Sequence, residues 1–566
     1  MPRPDLDQSI QELNDHKDAW VALAVREKID LLLETRERLV EYGARLVEIS
    51  IESKKIDPQS PWVGEEWCLG PWALGEVLNG YLDTLRALTN GHLAGLKKVS
   101  VRSNEQVIVQ VFPNSLNDRL ILNGQRAEVW MQPGITPQNL KDHMALIYRQ
   151  KDLKGKVALV LGSGNVSAIP VLDVLYRFFA FGHVVILKMN PINDNLGPVF
   201  EDILAPFIRG GYLRFAYGGA DVGDYLTHHP GVDEIHLTGS SRTFDNIVFG
   251  PGPEGAKRKQ RNEPSLNKPF TCELNCVGPT IIVPGKWSAA DIRFQAENVV
   301  TTKLNNHGFN CAATQVLVLH EAWPQRDEFL EAIRNVLREL PPRYAYYPGA
   351  AERHKEVIAV YPAAETFGGE VPRTLITGLS PDGKGEYCYK NEFFGPVLAQ
   401  TDLGGKDTAE YLKNAARFCN EKLSGTLGVT IIAHPKTLKG YASAIDETIA
   451  NLRYGAIGVN VWHAMAFMLP QTTWGAYPGH TYDDIQSGIG VVRNSFLFDK
   501  PQKSVCYGKF YPFPRGFLHG SFSILPKPPW FITNKTAHIT LRGIARFSTI
   551  PDLRLLPGIF LSALRG

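Results

Sequence analysis

A free thiol in a polar turn, a lone carboxylate between apolar segments and two glycine-bearing turns are the parts of this sequence with residue types suited to chemistry. Cys311 lies in Asn306-His-Gly308-Phe-Asn310-Cys311-Ala-Ala-Thr-Gln315, between a helical run and an apolar strand. A thiol beside glycine in a polar loop is open to activation, although a free cysteine serves equally as a small buried hydrophobe. Glu273 stands in Thr-Cys-Glu-Leu-Asn-Cys-Val-Gly-Pro, where a carboxylate has to be paired, protonated or functional. Gly162-Ser-Gly164-Asn165-Val-Ser167 is a near-match to a dinucleotide-binding turn, with serine in place of the third glycine. Lys188 replaces the acid expected at the end of the following strand, so a tight turn needing only small residues explains it as well. Asn391-Glu392-Phe-Phe394-Gly-Pro-Val puts an acid before two aromatics, and it also reads as a packed turn. Cys272 and Cys276 are spaced C-x3-C, but no second Cys or His pair stands near at metal spacing, so packing explains them better than zinc.

These residues need elements to hold them. KVALVLG (156–162), VVILKMNP (184–191), YLRFAYGG and VDEIHLTGS (232–240) are apolar runs separated by helical segments, which predicts a parallel sheet covered on both faces. A second α/β run contains PTIIVP (279–284), ATQVLVLH (313–320), GTLGVTIIAHP (425–435) and GAIGVNVW (455–462). Residues 18 to 54 have apolar positions at three- and four-residue spacing, predicting a helix. Residues 98 to 132 change to β-branched, partly alternating sequence with turn formers, predicting a β excursion. The Pro, Gly and charge mixture of 251–269 predicts an exposed loop.

Composition narrows the class. At 44% hydrophobic and 21% charged residues over 566 positions, the chain is an ordinary globular protein rather than a disordered, collagenous or disulfide-scaffold one. Seven scattered cysteines make no disulfide framework, and no run approaches the ~18 apolar residues of a membrane span. The charged N-terminus has no apolar core of a secretory signal, so a cytoplasmic location is expected. A net charge of +2 hides an asymmetry: residues 515–566 carry seven Lys/Arg and one acid, with Phe517, Phe522, Trp530, Phe531, Phe547 and Phe560 among them. Such a tail reads as a strip docked on an acidic face of its own protein or of a neighbouring subunit, or as a peripheral membrane contact, and as separate from any catalytic machinery. No nucleic-acid partner is expected.

Taken in order, the motifs resemble the aldehyde dehydrogenase superfamily over roughly residues 18 to 500. The resemblance rests on Asn165 after a strand, Lys188, HLTGSS (236–241), Glu273-Leu274, the Gly308/Cys311 turn, Glu392-Phe-Phe-Gly-Pro-Val, VNVWHAM (459–465), WGAYPGH (474–480) and SGIGVV (487–492). It implies an α/β fold with a Rossmann-like cofactor domain (1–97 and 151–275), a catalytic domain (276–484), a small β oligomerisation element (98–150 and 485–514) and the basic extension (515–566). It also implies NAD or NADP as cofactor, a homodimer or homotetramer, and an aldehyde oxidised to a carboxylate. Cys311 would be the nucleophile, Asn165 an oxyanion donor and Glu273 the base for hydrolysis. Lys188 and Glu392 would hold the cofactor riboses, Gly239 and Ser240 its phosphates, and Phe394 would line its site; no metal is implied. The chain departs from the pattern where Glu-Leu-Gly-Gly-Lys is expected and Glu-Leu-Asn-Cys-Val stands, and where the usual Pro-Trp-Asn turn is Gly-Ser-Gly-Asn-Val. The latter is closer to acyl-CoA-reducing relatives. CoA-acylating chemistry is therefore the first rival, distinguished by Glu273, which it does not need. A non-catalytic scaffold acting through the tail is the second, and it would be expected to have lost Cys311 or Glu273.

Overall fold

The computed structural model describes residues 3–93, 96, 98–383, 385–519, 523 and 525–566. Phe522 of the aromatic tail lies outside the described residues. The fold is α/β and is organised by two large sheets. The first has six strands in the order Gly488–Ile489, Phe270–Glu273, Glu234–Thr238, Val157–Leu161, Val184–Lys188 and Leu213–Ala216. All its neighbours are parallel except the short Gly488–Ile489 strand. Val157–Leu161 and Val184–Lys188 are apolar almost throughout instead of alternating, because every residue in them is buried under helices on both faces. Helix Pro4–Ala22 supplies part of that cover, wedging Trp20 among Phe178, Phe179 and Phe207.

The chain starts this sheet at Val157–Leu161, winds outward to Leu213–Ala216, then returns to the other side at Glu234–Thr238. Strand order reverses at that point, and a crevice opens beyond the carboxyl ends of the strands. The second sheet has eleven strands, with Ala456–Val459, Gly428–Ile432, Gly278–Ile282, Thr314–His320, Val397–Leu403 and Arg373–Leu379 forming a parallel centre. Strands Lys98–Val101, Val107–Phe112 and Arg126–Met131 join it through Pro501–Tyr507. The β excursion seen in the sequence is therefore hydrogen-bonded into the same sheet as the strands around Cys311.

Two local readings change. The helical run from 18 to 54 is two helices, Pro4–Ala22 and Val25–Ser53, broken by extended backbone at Leu23 and Ala24 with no Gly or Pro to mark it. The expected loop at 251–269 contains helix Gly252–Gln260. Its Pro lies in the first turn, where the missing N–H costs nothing, and Lys257, Arg258 and Lys259 close the last turn against the helix dipole.

The C-terminal extension folds back on its own protein. Helix Ala537–Thr549 packs against Val63–Trp67 and Ala73–Thr89 so closely that a Cβ on Gly64 would lie 2.7 Å from the Ala537 carbonyl carbon. A Cβ on Gly75 would lie 2.2 Å from Thr549 Oγ1. Arg515 pairs with Asp291, and Lys527 pairs with Glu297 at 2.7 Å, both acids lying on helix Ala289–Leu304. Among the described residues no helix is long and apolar enough to cross a membrane. Because a single added carbon would already overpack this contact, Gly64→Val should lower unfolding free energy by about 1–3 kcal/mol, read from urea denaturation. An unchanged midpoint would mean that the extension helix is not seated on Gly64 in solution.

Candidate active site

The sequence-selected residues converge on the facing edges of the two sheets. Lys188 and Glu273 are the last residues of their strands, Gly239 and Ser240 follow Glu234–Thr238 directly, and Asn165 lies four residues beyond Val157–Leu161. Cys311 comes from the other side, three residues before strand Thr314–His320, and Glu392 and Phe394 come from the turn before Val397–Leu403. All eight residues line one cleft of about 670 Å³, together with Gly219, Asn275, Tyr347 and Arg353.

Of the seven free cysteines, six are buried and Cys311 is half-buried. Its loop is built from backbone that resists the conformation: Asn306, His307 and Gly308 all have positive φ, at 52°, 56° and 79°. The glycine is required, since a Cβ there would lie 2.4 Å from the Gly395 carbonyl oxygen. The two non-glycine residues are strained, each by roughly 1–2 kcal/mol, and a buried polar network holds them. Asn306 N–H donates to Glu65 Oε2 at 3.1 Å, and its side-chain amide donates to the carbonyls of Asn165 and Phe309, each at 2.9 Å. Lys54 Nζ donates to Asn306 Oδ1 at 3.2 Å and pairs with Glu66 at 2.7 Å, while Arg343 pairs with Glu65 at 2.6 Å. The Tyr346 hydroxyl donates to the Asn165 carbonyl at 2.9 Å. Asn165 and the Cys311 loop are thus fixed to one another: the Asn165 amide also donates to the Phe309 carbonyl at 3.1 Å. An amide has two N–H donors, which leaves one for the cleft.

The Glu273 carboxylate accepts from Trp474 Nε1 at 2.9 Å and receives the Cys311 thiol hydrogen bond. Burial pushes its pKa up to about 7, against the lowering effects of the bonds from Cys311 and Trp474. Burial, followed by the Glu273 charge, pushes the Cys311 thiol well above its ordinary range. The proton of this pair therefore rests on sulfur, with an acceptor in contact. Glu392 is also raised to about 7 by burial, opposed first by its hydrogen bond from the Asn275 amide. Burial lowers the pKa of Lys188.

Several of these residues fit a dinucleotide. Glu392 Oε1 is buried and has no hydrogen-bond partner among the described residues, although it lines the cleft. The cleft wall is Gly162, Ser163, Gly164, Gly219, Ala220, Gly223 and Gly239, which lets a ligand approach the backbone. Ser240 caps helix Ser241–Val248, its Oγ accepting from Thr243 N–H, and Asn275 Oδ1 accepts from Ser241 N–H at 2.7 Å. Tyr347 and Arg353 were not picked out in the sequence, and Asn275 and Trp474 stood there only within Glu-Leu-Asn-Cys-Val and WGAYPGH, with no role given. Arg353 donates to the carbonyls of Phe393 and Phe394, each at 3.2 Å, and so holds Phe394 at φ 36°. Among the described residues no cluster of three or more His, Cys, Asp or Glu could hold a metal.

A second, apolar chamber of about 40 Å³ also reaches Cys311, walled by Trp72, Trp462, Met465, Phe467, Met468 and Trp474. Trp530 of the C-terminal extension also lines it, which corrects the expectation that the tail stands apart from the site.

Raised carboxylates make stability depend on pH in a fixed direction. With an unfolded value near 4.5 and a folded one near 7, the protonated Glu273 contributes stability that is fully present below pH 4.5 and lost as pH rises through 7. Glu273→Gln should therefore remove on the order of 1–3 kcal/mol of destabilisation between pH 5 and pH 8 in urea unfolding. Parallel stability–pH curves for variant and wild type would show that the carboxyl is not buried as described.

The aldehyde dehydrogenase family model matches residues 157–346. A 4,4'-diaponeurosporen-aldehyde dehydrogenase of Staphylococcus aureus is 23% identical over 375 residues, covering 62% of this chain and 71% of that protein. Two further curated relatives are matched over 40% and 60% of their lengths. An aldehyde dehydrogenase of Mycobacterium tuberculosis complexed with NAD+ superposes with a TM-score of 0.60 at 18% identity, covering 89% of this chain and 90% of that one. The NADP-dependent glyceraldehyde-3-phosphate dehydrogenase of Bacillus halodurans complexed with NADP gives 0.59 at 16%, covering 89% and 91%. The fold is thus that of the aldehyde dehydrogenases, shared over 90% of this chain with a solved member from Sinorhizobium meliloti, and residues 157–346 match the family model.

Proposed function

We propose that the protein oxidises an aldehyde to a carboxylate with NAD or NADP, through an acyl thioester on Cys311. The observation that carries this reading is one half-exposed thiol at the junction of a polar cleft and an apolar chamber, bonded to a buried carboxylate. Lys188 and Glu392 would hold the cofactor riboses, Gly239 and Ser240 its phosphates, and Phe394 would line its nicotinamide end. When bound, the cofactor would supply the hydride acceptor for the oxidation.

Glu273 takes the thiol proton as sulfur attacks the carbonyl carbon, since it is in contact and its pKa is near neutrality. The free Asn165 N–H and the Cys311 backbone N–H face the oxygen on which negative charge develops. After hydride loss the carbon is held as a thioester. Glu273, having released its first proton, then accepts one from the water that attacks the thioester, and the carboxylic acid departs from regenerated Cys311. The CoA-acylating alternative makes no use of a base placed for water. The scaffold alternative leaves the Cys311–Glu273 pair without a purpose. A small-molecule aldehyde substrate and a homodimeric or homotetrameric assembly in the cytoplasm complete the proposal.

Cys311→Ala should abolish turnover of any oxidised aldehyde while NAD(P)+ binding, followed by fluorescence, persists. Retained activity would exclude Cys311 as nucleophile. Asn165→Ala should lower kcat by about 10²–10³, the usual cost of one oxyanion donor, with the circular dichroism spectrum unchanged. Wild-type kcat should rise with pH through about 7, and Glu273→Gln should lose that rise together with about 10²–10⁴ of rate. Faster release of acyl-CoA than of free acid when CoA is added would replace hydrolysis with the acylating reaction.

A further inference from the structure

The apolar chamber beside Cys311 is small. One water needs about 10–15 Å³ in this measure, so 40 Å³ accommodates only a few carbon atoms. A second cavity of about 70 Å³ lies beyond it, and Trp462 and Trp530 line both. The outer cavity is walled by Leu122, Phe294, Val461, Leu525 and Phe531, with the polar Asn298, Asn460 and Lys509 also in its lining. Leu525 and Phe531, like Trp530, belong to the C-terminal extension.

The two indoles are held differently. Trp462 is buried, and its Nε1 donates to the Ala312 carbonyl at 2.7 Å, which ties it to the residue after Cys311. Trp530 is half-buried, on a segment clamped at points around it. Phe531 stacks on Phe294 with ring centroids 5.2 Å apart, Ile532 N–H donates to Thr301 Oγ1 at 3.2 Å, and Lys527 pairs with Glu297. All three partners lie on helix Ala289–Leu304, which leads into the Cys311 loop. The Trp62 indole donates to the Ile532 carbonyl at 3.1 Å. The clamp fixes the backbone of the extension against the catalytic helix and places one large apolar ring at the seam between the two cavities.

We propose that the C-terminal extension completes the substrate channel, with Trp462 and Trp530 forming an aromatic constriction, so that the natural substrate is an aldehyde on an extended apolar chain. The carbonyl end lies at Cys311 in the inner chamber, and the chain passes between the indoles into the outer cavity. Met465 and Met468 in the inner wall adapt to such a chain without fixing its shape. This inference rests on Cys311 being the nucleophile. It gives the extension a role in specificity.

The test is a series of straight-chain aldehydes from propanal to dodecanal, oxidised by the full-length enzyme. Burying each further methylene should raise kcat/KM by about fourfold until the channel is filled. Trp530→Ala and Leu525→Trp, the first removing the constriction and the second filling the outer cavity, should each lower the dodecanal-to-propanal ratio of kcat/KM at least tenfold. Binding is measured separately with dodecanamide and propanamide, by tryptophan fluorescence in Cys311→Ala, where no turnover is needed. Dodecanamide should bind at least a hundredfold more tightly, and adding Leu525→Trp should abolish the difference. A flat chain-length series together with equal binding of the two amides overturns the channel and leaves Cys311 untouched. An active Cys311→Ala enzyme that still prefers dodecanamide overturns the nucleophile and leaves the channel standing. Should Trp530→Ala fail to fold, Leu525→Trp and the amide measurement decide alone.

Discussion

The site depends on one constraint: a loop in an unfavourable backbone conformation has to be held still under a thiol. Asn306, His307 and Gly308 lie in left-handed space, and this turn swings the chain from helix Ala289–Leu304 to strand Thr314–His320 with Cys311 facing the cleft. The forces that hold it are buried charges. Lys54 with Glu66 and Arg343 with Glu65 are ion pairs whose side chains are at most 9% exposed. Such pairs contribute little net stability as pairs, yet losing one member strands a charge and costs about 3–5 kcal/mol. That steep penalty makes them effective holders. They act on Asn306, and Asn306 in turn grips the Asn165 carbonyl, so the thiol and its neighbouring amide donor share one mount.

The mount also explains why helices remote in sequence belong to the site. Lys54, Glu65 and Glu66 come from the N-terminal helical region, which also covers the first sheet, while Arg343 and Tyr346 come from the segment after a helix of the second half. The two sheets are thereby tied together across the cleft at the point where the reacting atoms meet. Burial sets the electrostatics there. Glu273 and Glu392 both have pKa values near 7, while the thiol is pushed upward, so proton transfer within the Cys311–Glu273 pair is controlled by whatever changes its solvation.

Much of this was legible in the sequence because the chemistry lies at strand ends, and strand ends are marked by punctuation. Apolar runs closed by Gly162, Lys188 and Gly239 predict parallel strands, and residues just beyond such strands face the crevice of an α/β sheet. Cys311 and Glu392 were visible as polar interruptions beside glycine. What was not legible is the support. Glu65 and Glu66 fall between the helix and the β excursion that the sequence predicts, and no local pattern says that they are 5% and 1% exposed. Trp474 was noted as an aromatic, but its hydrogen bond to Glu273 depends on 201 residues of intervening fold. Helix Gly252–Gln260 was read as loop because Pro and Gly were weighed as breakers, when proline in the first turn and basic residues in the last are helix signals.

The extension shows the same limit from another direction. Its excess of Lys and Arg was plain in composition, and two of those charges meet Asp291 and Glu297 on the helix that delivers Cys311. Both carboxylates are buried and both cations partly so, and the cost of desolvating such pairs offsets most of their attraction, which leaves too little to seat fifty residues. The seating comes from packing at Gly64 and Gly75, where the absence of side chains admits helix Ala537–Thr549 at backbone distance. Charge sets the direction in which the tail lies, glycine lets it approach, and Phe531 on Phe294 fixes its register along the catalytic helix. With that register set, the indole of Trp530 lines the same two cavities as Trp462. The wall of the chamber beside Cys311 is therefore completed by a segment whose sequence, read alone, carries no sign of catalysis.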